Sequence, residues 1–264
     1  MLFSSLTFLL IYLPVVLILY FITPTRIGKN LILFAASLLF YSWGEPKTIF
    51  LMLFEILVTY IIGLKIASSK TRKAAKNWLI AECFVVLGFL FIFKYYNFFV
   101  VQLLNLSFFE QHIVLPIGIS FYSFQILSYI IDVYNEKVEA QKNFINLALY
   151  VCLFPQLIAG PIVRYQTVAE ELMNRKENIE DFSWGARRFI IGLGKKIIIS
   201  NHMAIVADMI FKSPDLLSYS GALCWLGAIS FMFKIYFDFS GYSDMAIGLG
   251  KMFGFHFLEN FNYP

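Results

Sequence analysis

Residues Phe237-Asp-Phe-Ser-Gly-Tyr-Ser-Asp244 set two carboxylates, Asp238 and Asp244, and three hydroxyls, Ser240, Tyr242 and Ser243, directly behind an apolar run. A carboxylate inside a bilayer is costly unless it is paired or faces a polar cavity, so this octet reads as an intramembrane site. Lys234 lies four residues before Asp238 and is expected to pair with it along one helix face, a purely structural role. Gly241 is expected to let the backbone turn sharply and come close to a ligand. A second constellation, Arg187, Arg188, Lys195 and Lys196, carries four cations, with Arg188 and Lys195 seven apart on one helical face. It fits either an amphipathic helix held to anionic headgroups or a basic mouth that contacts the phosphates of a donor. The three histidines, His112, His202 and His256, are the local candidates for a general base. For each, a polar-loop or packed histidine is the competing reading; His256, in Phe253-Gly-Phe-His-Phe257, is the candidate nearest the octet. No nucleophile-elbow pattern of Ser, His and Asp or Cys and His is visible.

Composition shows what has to position these groups. Of 264 residues, 59% are hydrophobic and 14% charged, against about 25% charged in an ordinary soluble domain. The chain therefore presents much of its surface to lipid. Residues 1–22 carry no charge, and at about 1.5 Å per residue they cover roughly 33 Å, enough for a hydrocarbon core of about 30 Å. The basic residues Arg26 and Lys29 follow this stretch rather than precede it, so it reads as a retained membrane helix with its N-terminus outside. Cys83, Cys152 and Cys224 are far apart within apolar runs, the pattern of buried thiols rather than of a disulfide or metal framework. The net charge of +4 sits mostly in short loops and reports orientation in a lipid bilayer, not a nucleic-acid partner.

The expected architecture is an all-α, polytopic transmembrane domain over residues 1–264, with a re-entrant segment. Basic loops at 26–29 and 65–76 are placed in the cytoplasm, joined by a hairpin whose tip is Gly44-Glu45-Pro46-Lys47. Glu55, in the second arm, must be paired or face the interior. Spans are expected at 78–106 and 113–134, with Ser107 outside. Residues 144–163, flanked by polar sequence and containing Pro155, Gly160 and Pro161, read as a re-entrant loop. The polar stretch 167–181 is placed in the cytoplasm, a span at 221–239, and a further helix at 242–257.

Four motifs in order carry a resemblance to a family. They are Leu115-Pro-Ile-Gly-Ile-Ser-Phe-Tyr-Ser-Phe-Gln125, Ser128-Tyr-Ile-Ile-Asp-Val-Tyr134, Phe154-Pro-Gln-Leu-Ile-Ala-Gly-Pro-Ile162, and Tyr236 through Gly250. Together they resemble the membrane-bound O-acyltransferases, in the branch that acetylates alginate, over essentially the whole chain. The resemblance implies an enzyme with no resident cofactor that takes an acyl group from a thioester such as acetyl-CoA. It implies delivery toward hydroxyls of an extracytoplasmic polysaccharide at the cell membrane, with an extracytoplasmic acyltransferase as partner. The family histidine is expected beyond Pro264, after the motif Glu259-Asn-Phe-Asn-Tyr-Pro264, so that these residues read as the N-terminal part of a longer enzyme. On this reading Asp238, Ser240, Tyr242 and Asp244 build the wall of its tunnel. D-alanyl transfer to teichoic acid, a polytopic transporter and a non-catalytic remnant stay open as alternatives.

Overall fold

A computed structural model describes all residues except 105–112, 158–159, 161–162, 214–218 and 263–264. The described residues are helical and contain no strand: α1 Phe8–Ile22, α2 Arg26–Ser42, α3 Ile49–Ala67, α4 Arg72–Leu103 and α5 Ile119–Tyr134 come first. Then follow α6 Phe144–Cys152, α7 Tyr165–Asn174, α8 Ile179–Phe211 and α9 Gly221–Met252. Four of these, α3, α4, α8 and α9, are long and apolar enough to cross a membrane. The expected positions of Ser107 and His112 fall outside the described residues.

Helix starts follow the side chains that can satisfy free amides. Thr25, Thr71, Asn143, Asn178 and Ser220 each accept a backbone N–H from the first turn of α2, α4, α6, α8 and α9. The chain divides into two compact units, the first holding most of 16–174 and the second holding 2–15 and 175–264. In the first unit, Asn30 of α2 donates its amide to Asn146 Oδ1 at 2.9 Å and to the Leu172 carbonyl at 2.8 Å, tying α2 to α6 and α7. The α6 helix has nine residues, about 14 Å at about 1.5 Å each, far short of a bilayer core. Residues 146–152 within it are buried, as a re-entrant segment requires.

Four expectations about boundaries change. The membrane helix expected over residues 1–22 is helical over Phe8–Ile22, about 22 Å at about 1.5 Å per residue, and is shorter than a bilayer core. The span expected at 113–134 is helical only from Ile119, because Pro116 and the left-handed Gly118 (φ 78°) hold the preceding backbone out of the helix. The polar stretch 167–181 takes in most of α7 and the start of α8, a single helix of 33 residues that carries the basic cluster in its middle. The span at 221–239 and the helix at 242–257 merge into α9, of 32 residues, so Gly241 is helical and makes no turn. Glu55 does face the interior. It and Glu82 of α4 are both fully buried, linked through Thr59, whose hydroxyl approaches the Glu55 carbonyl at 2.8 Å and Glu82 Oε1 at 2.5 Å.

The end of α5 holds a strained residue. Glu136 has φ 58°, in the left-handed region where glycine is usual. The strain is fixed by a Schellman closure, with the Lys137 amide on the Asp132 carbonyl at 2.9 Å and the Glu136 amide on the Val133 carbonyl at 3.1 Å. Replacing Glu136 by Gly should release about 1 kcal/mol of strain, less a few tenths for its exposed ion pair with Arg72. Thermal unfolding of the purified protein should show a midpoint raised by about 2–4 °C; a lowered midpoint would contradict this reading of the turn.

Candidate active site

In the second unit α8 and α9 run antiparallel and touch backbone to backbone. A Cβ built on Gly192 would lie 2.5 Å from the Gly241 carbonyl, and one on Gly241 2.8 Å from the Gly192 carbonyl. Seven residues away the contact repeats: a Cβ on Gly185 would meet the Gly248 carbonyl at 2.5 Å, and one on Gly248 the Gly185 carbonyl at 2.5 Å. Glycines at this spacing let two apolar helices approach until their backbones are in contact.

Opposite charges continue the same register. Descending α9 while ascending α8, Lys251 meets Asp181 at 3.2 Å, Asp244 meets Arg188 at 2.9 Å, and Asp238 meets Lys196. Ser200 then donates to the Lys234 carbonyl at 2.9 Å. Arg188 gives Nε and Nη2 to Asp244 Oδ1, Lys195 gives Nζ to Asp244 Oδ2 at 2.6 Å, and Arg188 also holds both carboxylate oxygens of Glu259. Lys195–Ser200 is a widened turn of π type, and there the adjacent Lys195 and Lys196 reach different carboxylates of α9. Trp184 lies under the pair, with Arg188 5.1 Å and Lys251 4.1 Å from its ring.

The expected Lys234–Asp238 pair does not form. Lys234 instead reaches Asp208 of α8 at 3.2 Å, and Asp238 takes Lys196, because a partner on the closely packed helix competes with one along the same helix. Asp244 is 7% exposed and accepts three hydrogen bonds from cations, two on Oδ1 from Arg188 and one on Oδ2 from Lys195, which hold its carboxylate in place. Ser240 and Ser243 are buried with hydroxyls that find no hydrogen-bond partner among the described residues. Tyr242 is buried and stacks on Phe3, with ring centroids 4.7 Å apart. His202 is exposed on α8, whereas His256 Nε2 lies 3.6 Å from Asp181 Oδ2 at its start. Arg187 is exposed, away from the carboxylate contacts made by the other three cations.

Residues 89–264 match the family described as MBOAT, membrane-bound O-acyltransferase family. The chain belongs to the membrane-bound O-acyltransferase family. Similar proteins include the probable alginate O-acetylase AlgI of Pseudomonas syringae pv. tomato, 44% identical over all of this chain and 52% of its own length. The peptidoglycan O-acetyltransferase of Helicobacter pylori is 33% identical over all of this chain and 56% of its own. The teichoic acid D-alanyltransferase of Bacillus subtilis is 27% identical over 56% of this chain and 38% of its own. The chain thus spans about half the length of the curated relatives it matches. As an O-acyltransferase family member with four helices long and apolar enough to cross a bilayer, it is a membrane protein.

Reading residues one helix at a time missed the role of the glycines and of Glu259. The signal was present in the i, i+3/i+4 spacing of Asp181, Gly185, Arg188, Gly192, Lys196 and Ser200 against Lys251, Gly248, Asp244, Gly241, Asp238 and Lys234. Read antiparallel, each residue of one series faces its complement in the other. Gly192→Ala should therefore destabilise by about 1–3 kcal/mol or more, since its Cβ meets backbone that cannot swing aside. Gly194→Ala, with open space around it, should be neutral or stabilising by about 0.5–1 kcal/mol. Equal melting temperatures for the two variants would refute the seam.

Proposed function

We propose that the whole protein moves an acetyl group from a cytoplasmic thioester donor, acetyl-CoA, to hydroxyls of an extracytoplasmic polysaccharide. The observation that carries this is 42–44% identity, over the full length of the chain, to relatives named probable alginate O-acetylases. The D-alanyl alternative has the lower likeness, over a shorter stretch. The reading places the protein in the cell membrane with its N-terminus outside, handing acyl groups to an extracytoplasmic acyltransferase.

Acyl transfer to a hydroxyl needs a base for its proton and donors for the oxyanion that develops. On this reading Ser240 and Ser243 supply hydroxyls to the tunnel wall, and the charge cluster around Asp244 holds that wall still. His256, the local base candidate, has the carboxylate of Asp181 3.6 Å from its Nε2. Arg188, Lys195 and Lys196 already hold carboxylates, which makes exposed Arg187 the best placed of the four to meet a donor phosphate. The two roles separate kinetically. With the whole protein and acetyl-CoA, Arg187→Gln should raise the donor KM about tenfold with kcat unchanged. Arg188→Gln, which unpairs Asp244 and Glu259, should lower kcat or abundance instead. An unchanged donor KM for Arg187→Gln would remove it from the donor site.

The assignment itself is tested in a strain lacking its own polysaccharide O-acetyltransferase. Expression of the whole protein with its secreted partner should restore acetyl esters, seen by NMR of the purified polymer. Alanyl esters would establish the alternative, and a polymer left without ester would overturn acyl transfer to polysaccharide.

A further inference from the structure

At one end of the first unit, where α3 and α5 stop and α4 begins, lie two cavities of 540 Å³ and 340 Å³. Both are lined by Ala67, Val133 and Glu136, so they adjoin. Leu64 and Val133 give the larger one an apolar lining, and the charged residues around the two are Lys70, Arg72, Lys137 and Lys142 against Glu136 and Glu139. Cations therefore outnumber carboxylates in a concave site, where the field is stronger than on a flat surface.

The cations differ in what holds them. Arg72 donates to the Tyr134 carbonyl at 2.8 Å, lies 4.0 Å from the Tyr134 ring centre, and reaches Glu136 Oε1 at 3.4 Å. Lys137 is 3.9 Å from Asp132. Lys70 and Lys142 are exposed and have no carboxylate partner among the described residues. The start of α4 adds to the positive field, because Thr71, its cap, and Arg72 both line the smaller cavity. Glu136 opposes that field, yet it is held there in a strained conformation with its carboxylate on Arg72. A ligand that takes Arg72 must displace this carboxylate.

We propose that this end of the first unit binds a phosphate ester that carries an apolar substituent. The planar fork of Arg72 and the two unengaged lysines match phosphate oxygens, and the apolar lining takes the substituent. Two sources share this chemistry: the headgroup of an anionic phospholipid and the phosphates of a soluble thioester carrier. The proposal does not depend on which group the protein transfers or to what acceptor.

The test is a binding titration by microscale thermophoresis on the whole protein in an uncharged detergent. The probes are short-chain phosphatidylglycerol, coenzyme A, and a short-chain diacylglycerol that lacks phosphate. Saturable binding of at least one phosphate probe and none of the diacylglycerol is expected. Lys70→Gln and Lys142→Gln should each weaken it about tenfold, Lys70→Arg and Lys142→Arg should retain it, and Glu136→Gly should tighten it by freeing Arg72. Preference for phosphatidylglycerol assigns the site to lipid, preference for coenzyme A to a donor, and mutual competition to both. The proposal is overturned if neither phosphate probe saturates, if diacylglycerol binds equally well, or if the Gln variants, melting like the parent, bind unchanged.

Discussion

Charged side chains can sit between two apolar helices only if each finds its opposite, and the α8–α9 couple is built around that requirement. Arg188 engages Asp244 and Glu259, Lys195 engages Asp244, and Lys196 engages Asp238, so three cations face three carboxylates. The glycines bring the helices close enough for these pairs to form, and the pairs in turn oppose sliding, since a shift of one turn would set glycine, serine or a like charge opposite these charges. The octet at 237–244 takes its geometry from this constraint. Its two carboxylates are engaged across the seam, while the hydroxyls of Ser240 and Ser243 are buried in the same stretch of α9.

The sequence made the class of the molecule legible because hydropathy and charge are properties of single segments. The apolar runs, the loop at Gly44–Lys47 and the short buried segment after Asn143 all follow from local composition. What lay between segments was harder to read. Lys234 and Asp238 have the spacing of an intrahelical pair, yet each is taken by α8. Gly241, read alone, permits a turn, and only Gly192 opposite it shows that the residue is needed for close approach. Glu259 lies outside any helix, so no periodicity marks it as the second carboxylate on Arg188.

The first unit solves its polar burial differently. Asn30 bridges three helices with neutral hydrogen bonds, and Ser37 accepts the Phe154 amide at 3.1 Å just after α6. Neutral donors suit a segment whose backbone must be satisfied within the protein. The strained Glu136 stands apart: a glycine would close the same turn more cheaply, and the carboxylate in its place meets the arginine that caps the end of α5.

The central claim is that Arg188 and Asp244 act as a unit across the seam, and a double-mutant cycle in stability measures this directly. Arg188→Gln, Asp244→Asn and the double variant would be compared with the parent by denaturant unfolding in detergent. The account predicts a coupling of about 2–3 kcal/mol, with the double variant more stable than the sum of the single losses implies. Additivity within about 0.5 kcal/mol would contradict it.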